Sequence, residues 1–295
     1  MPDYGHELQF GSFITPGNAD PQATVALAVA AERVGLDLIT FQDHPYQPRF
    51  LDSWTLLSYV AARTERVHLS PNVLNLALRP PAVVARAAAS LDLLSGGRFE
   101  LGLGSGAFWD AIEAMGGRRL APAEAVASVR DAIEVMRGIW DVDAGKVLRV
   151  DGAVHSVHGA KRGPRPAHPI GIWLGAYKPR MLRLTGEKAD GWLPSLSGWA
   201  SLDVLAAANA LIDQAAAEAG RRPGDVRRLL NISALGSEPL AGLPPTPVEM
   251  LTTLALEHGF STFVLASDDA DELARYGQEI APAVRESVAA GRPRP

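Results

Sequence analysis

Short apolar runs and helix-forming stretches alternate along this chain eight times over, and that alternation limits the folds open to it. The runs at 8–14, 38–41, 66–74, 98–103, 170–174, 191–193, 228–235 and 262–266 have the length and apolar character of buried strands. Between them lie helix-like stretches at 21–34, 52–64, 81–94, 122–140, 179–187, 201–219, 247–258 and 270–290. Asp20 caps the first helix ahead of Pro21, Asp52 or Ser53 caps the second, and Pro81 opens the third. Gly35 and Gly96-Gly97 stop the first and third. In 122–140, Val126, Val129, Ile133, Met136 and Trp140 recur at spacings of three and four, one face of a helix. Regularity lapses at 141–170, where "KVLRV" and "AVHSV" flank Asp151-Gly152 as a hairpin, and in the Pro-rich link "SEPLAGLPPTP". Strict alternation predicts a parallel sheet, and eight units predict an α/β fold of the (β/α)8 TIM-barrel type. Residues 1–295 read as one such domain, with 141–170 as an insertion after strand 4 and its helix.

A barrel of this kind carries its chemistry on the loops that follow its strands. The second strand runs out in "FQDHPYQPRF", which puts Asp43 and His44 at that mouth, as an active-site lip or as a plain polar turn. Strand three carries Asn72 and Asn75 in apolar surroundings, and a buried amide needs a partner. Strand four continues as Gly102-Leu103-Gly104-Ser105-Gly106, whose alternate glycines would let a flat or anionic ligand approach the backbone. The spacing is not the dinucleotide fingerprint G-x-G-x-x-G. Gly175, Ala176, Tyr177 and Lys178 stand ahead of Pro179 and a helix, the makings of a phosphate site or of a turn with a solvated lysine. Strand six brings Trp192 and Ser195, the tryptophan as pocket wall or as packing.

Several function classes are excluded. The net charge is −5 with no basic patch, so no nucleic-acid partner is expected. No apolar stretch is long enough for a membrane span, and "MPDYGHELQF" lacks the pattern of a secretion signal. With no cysteine there are no disulfides, iron–sulfur clusters or thiolate zinc sites, which fits a cytoplasmic protein. His155 and His158 form H-x-x-H in the irregular insertion without an acidic ligand, and no metal is expected. Polar walls, several glycines and a phosphate anchor suit a large planar cofactor that carries the reactivity itself.

The stretches "AERVGLDLITFQDHPYQP", "PPAVVARAAASLDLLSGGRFELGLGSG", "IWLGAYKPRMLRLTGEKADGWLP" and "EIAPAVRE" resemble the bacterial-luciferase-like superfamily, in its coenzyme F420-dependent branch. The resemblance runs over nearly the whole chain. It implies a homodimeric (β/α)8 oxidoreductase that exchanges hydride between a deazaflavin, F420, and a small organic substrate. An FMN-dependent monooxygenase is the alternative. It places His44 toward ring and substrate, with Asp43 setting its orientation. It puts a cis peptide at Asn72-Val73 behind the ring, with Gly104, Ser105 and Gly106 as further cofactor contacts. Gly175, Ala176, Tyr177, Lys178 and Ser195 fall at the phosphate end. Sugar-phosphate dehydrogenases of this branch carry a glutamate where Ala107 stands and a lysine where Ser197-Gly198 stands. Phe108, Trp109 and Trp192 point instead to an apolar substrate pocket. A non-redox barrel enzyme would want a Schiff-base lysine or a carboxylate at a strand end, and none is evident. A cofactor-binding barrel without activity is the other rival.

Overall fold

The computed structural model describes residues 3–233, 235, 240 and 242–292. Residue 234 of the seventh run, and 237–239 and 241 of the Pro-rich link, fall outside them. Strands β1 (Gln9–Ile14), β2 (Leu38–Phe41), β3 (His68–Pro71), β4 (Leu74–Asn75), β5 (Leu101–Gly104), β8 (Ile172–Leu174), β9 (Gly191–Trp192), β10 (Arg227–Ser233) and β11 (Thr262–Ala266) form one sheet, in the order β3-β2-β1-β11-β10-β9-β8-β5-β4. Every pairing within it is parallel. A parallel bridge between Leu69 and Phe99 joins its ends, so the sheet closes into the expected barrel.

Helices α1 (Pro21–Arg33), α2 (Ser53–Ala61), α3 (Pro81–Ser95), α5 (Pro122–Trp140), α6 (Pro179–Lys188), α7 (Leu202–Glu218), α8 (Pro247–Leu256) and α10 (Ala281–Gly291) surround the sheet. Their starts follow the sequence signals. The Asp20 carboxylate accepts from the Gln22 and Ala23 amides, and Asp52, not Ser53, caps α2. Arg98 is buried and donates to the Ala61, Thr64 and Val67 carbonyls, which satisfies oxygens left over where α2 ends. Leu38, Trp173, Leu193, Leu229 and Val264 plug the barrel, with Phe13 and Val73 packed on them. That plug is the floor on which a site at the strand ends is built.

The cis Asn72-Val73 peptide and the hairpin are as expected, while a broken third strand, a short helix after β5 and a π turn in the last helix are not. The third run is two strands, β3 and β4, interrupted at a cis Asn72-Val73 peptide. After β5 the loop carries a short helix α4 (Trp109–Ala114), too short to show periodicity. The insertion holds the expected hairpin, β6 (Val147–Asp151) and β7 (Ser156–Lys161), antiparallel and with a register shift at Leu148/Arg149. The last helix is not uniform: α9 (Ala270–Arg275) passes through a π turn at Tyr276–Ile280 into α10. Proline has no N–H to donate four residues back, and the wider turn ahead of Pro282 accommodates it.

At the opposite end from the mouth, His168 bridges two carboxylates. Its Nδ1 lies 2.7 Å from Asp92 Oδ1 and its Nε2 3.3 Å from Glu100 Oε1. The Glu100 contact raises the His168 pKa above 6.5, burial opposes it, and Asp92 adds to the rise. A raised folded pKa gives stability that is full below the unfolded value and lost as pH rises through the folded one. His168→Gln should therefore lower the melting midpoint most below pH 6, by about 1–3 kcal/mol in stability terms on the scale of charged hydrogen bonds. The gap should narrow as pH rises above 6.5. A gap that stays constant from pH 5 to pH 9 in thermal melts would refute a charged bridge.

Candidate active site

A cavity of about 1090 Å³ opens at the C-terminal ends of the strands. Two shallower clefts of about 560 Å³ each do not reach His44. The large cavity gathers Asp43 and His44 after β2, Asn72, Val73 and Asn75 at the broken third strand, Gly104 at the end of β5, and Ser105 and Gly106 after it. Phe108, Trp109, Gly175, Tyr177, Lys178 and Ser195 complete the expected set on its wall.

Two expected residues lie elsewhere. Trp192 is 0% exposed and packs on Phe260 and Trp199 in the core. Its Nε1 donates to the Ala176 carbonyl, 2.9 Å away, and Ala176 is itself buried and off the cavity wall. An indole whose N–H finds a backbone oxygen is at home in a core.

Asp43 also has another role than the one expected. It is 2% exposed, and Arg79 holds it in a two-pronged pair, Nη1 to Oδ2 at 2.5 Å and Nη2 to Oδ1 at 3.0 Å. The Asn75 amide donates to the same Oδ2 at 2.8 Å. Burial pushes the Asp43 carboxyl up, while Arg79 and that amide oppose the rise. With its oxygens engaged in this way, Asp43 does not hold the His44 ring. It locks the strand-two loop to the start of the loop before α3. Arg79 reaches Asp52 as well, at 3.1 Å, so one guanidinium joins β2, β4 and the cap of α2.

His44 is placed instead by aromatic neighbours. Tyr46 stacks on it with ring centroids 5.4 Å apart and planes 18° apart, and Phe108 stands edge-on at 5.4 Å. Among the described residues the His44 ring has no hydrogen-bonded side chain. Burial lowers its pKa below 6.5, and the Asp43 charge only partly offsets this. The imidazole is therefore neutral at neutral pH, with a nitrogen free to take a proton.

The amides at the floor answer one another across the barrel. Asn72 Nδ2 donates to Asn231 Oδ1 at 2.7 Å, and Asn231 Nδ2 returns to Asn72 Oδ1 at 3.1 Å. Asn231 was signalled by the same anomaly as Asn72, an asparagine in the apolar run "RRLLNIS". Arg79 was not singled out from sequence, because Asp43 meets it only in space, and Tyr46 was passed over although it stands two residues from His44. The alternate glycines also serve packing. A Cβ on Gly104 would sit 2.6 Å from Val73 Cγ2, so glycine there makes room for the residue after the cis peptide. Gly102 meets the Pro71 carbonyl in the same way.

The sequence pattern of a known family, described as luciferase-like monooxygenase, matches residues 8–238. The chain belongs to that family. Among its relatives are proteins named F420-dependent glucose-6-phosphate dehydrogenase. The one from Gordonia bronchialis is 32% identical over 63% of this chain and 56% of its own length. The one from Nakamurella multipartita is 30% identical over 90% of this chain and 85% of its own. The chain spans little more than half the length of the first relatives it matches, 56% and 53%. A solved F420-dependent secondary alcohol dehydrogenase, in complex with an F420-acetone adduct, superposes with a TM-score of 0.79 over 95% of this chain and 99% of that one, at 19% identity. That likeness shows the barrel fold.

Proposed function

We propose that this chain is an oxidoreductase that uses coenzyme F420 for hydride exchange with a small organic substrate. The observation that carries the reading is His44, neutral and open to a cavity of about 1090 Å³ at the mouth of a luciferase-like barrel. The names of its relatives at 30–32% identity favour F420 over FMN.

The residues present fit such a cofactor. The cavity has the volume for a three-ring system with a phosphate-bearing tail. The floor supplies the Asn72–Asn231 pair and the backbone around Val73 as a flat support. At the head of α6 no side chain caps the helix. Among the described residues Lys178 and Arg180 meet no carboxylate, so both charges and the helix dipole are free for an anion. When bound, F420 would supply two-electron hydride chemistry. The chain's own part is to take or give the accompanying proton at His44, to hold the substrate against the aromatic wall, and to keep water out with that wall.

Titration of the purified protein with F420 and with FMN, followed by optical spectra, tests the reading. Binding of F420 in preference to FMN is expected, and tight binding of neither would overturn it. A second measurement addresses the phosphate end. Lys178→Glu replaces attraction with repulsion and should weaken F420 about 5- to 150-fold, on the scale of charged hydrogen bonds. The loss should shrink in high salt and vanish for a cofactor fragment that lacks the phosphate. Equal losses for fragment and intact cofactor would place Lys178 elsewhere.

The reading includes a cytoplasmic homodimer. Tyr59 on α2 and Val83, Leu93 and Leu94 on α3 are large, exposed and apolar, which supports a self-association face on these two helices. Among the described residues no helix is long and apolar enough to cross a membrane.

A further inference from the structure

We infer that the substrate face of this cavity takes a neutral, planar aromatic molecule, seated against the bare face of Phe108 beside the His44–Tyr46 stack. The inference rests on the oxidoreductase reading only in assigning this face to substrate. Three rings converge there: besides the two contacts of His44, Tyr46 and Phe108 lie 6.0 Å apart at 60°. Phe108 is nevertheless 57% exposed. A phenylalanine fixed edge-on to two rings, with more than half its surface bare at a cavity mouth, leaves an apolar aromatic face without a partner. Trp109, Leu120 and Val126 extend that face along the wall.

Charge decides against an ionic substrate. Among the described residues three formally charged side chains line the cavity: Asp43, Arg119 and Lys178. Asp43 is neutralised by Arg79. Arg119 is held by Asp110 and by Glu113, the latter at 2.7 Å. Lys178 stands at the head of α6, where an anionic cofactor tail is assigned. A phosphate or carboxylate placed beside His44 would thus meet no free cation. An aromatic ring would meet faces and edges of the geometry that aromatic pairs prefer.

The test is calorimetric titration of the F420-loaded protein with 2-acetylnaphthalene, cyclohexanone and glucose 6-phosphate. The naphthyl ketone should bind about 10-fold or more tightly than the other two. Phe108→Leu keeps an apolar side chain but removes the ring, and should weaken the naphthyl ketone about 3- to 10-fold, the scale of one aromatic contact. Cyclohexanone should change less than about 2-fold. Tyr46→Leu should act in the same direction. Glucose 6-phosphate binding as tightly as the naphthyl ketone would overturn the proposal, and so would variants that weaken both ketones equally. If F420 does not bind, yet the naphthyl ketone binds the unloaded protein with the same dependence on Phe108, the aromatic seat stands and the oxidoreductase reading falls. If F420 binds and no aromatic preference is found, the reverse holds.

Discussion

Arg79→Met is expected to destabilise the fold by about 3–5 kcal/mol, the cost of leaving a buried charge without its partner. For a domain of this size that is a drop of roughly 6–15 °C in Tm. The expectation follows from burial: the Asp43 side chain is 1% exposed and Arg79 contributes both prongs of the pair. Methionine keeps most of the arginine stem's volume, so the loss reports the charge rather than a cavity. The penalty falls on the ionised carboxylate, so a sign for pH follows. Burial already raises the Asp43 pKa above 3.8, and without Arg79 nothing cationic opposes it. A raised folded pKa means stability that is present in acid and lost as pH rises through it. The mutant's deficit should therefore be largest near neutral pH and shrink toward pH 4. Adding Asp43→Asn to Arg79→Met should recover much of the loss, because the stranded charge is gone. Thermal melts of the three variants measure this. A single-mutant cost below about 1 kcal/mol would show that the pair does not hold the strand-two loop.

His44→Ala should leave fold and F420 affinity within a few-fold and cut kcat by about 100-fold or more, the scale for a positioned acid or base. The ring is fixed by Tyr46 and Phe108 and has a free nitrogen at the cavity, so it is placed to handle a proton rather than to brace the structure. Because burial lowers its pKa, the wild-type rate in the direction where His44 accepts a proton should fall only as pH drops below 6.5. That acid limb should be absent from the residual rate of the alanine variant. Unchanged turnover would reduce the stretch around His44 to a polar turn.

Most of the barrel was written in patterns that act locally. Apolar runs, Pro at helix starts and Gly at helix ends each signal through their own backbone, so the alternation survives in the fold. The mouth was legible for a related reason: a residue just past a strand has its place fixed by topology, and Asp43, His44 and Lys178 needed no other information. Contacts between distant residues were not legible. Arg79 lies 36 positions from Asp43, and nothing in "LALRP" names its partner. Trp192 misled because a strand-end aromatic serves a pocket or a core equally well, and only the Ala176 carbonyl decides. The packing role of Gly102 and Gly104 was not legible either, since the atoms that crowd them belong to Pro71 and Val73.

The ion pairs of Arg119 have a bearing on how this protein can diversify. Arg119 closes on Asp110 and Glu113, both on α4, and so fastens the segment around that helix largely to itself. The loop after β2 that carries His44 is fastened elsewhere, through Arg79. Ring contacts of Phe108 with His44 and Tyr46 join the two loops. Mutations on the exposed positions of the α4 segment can therefore accumulate while Phe108 and the His44 loop are kept. In directed evolution, libraries confined to exposed positions such as Asp110, Glu113 and Met115 should cost folding little.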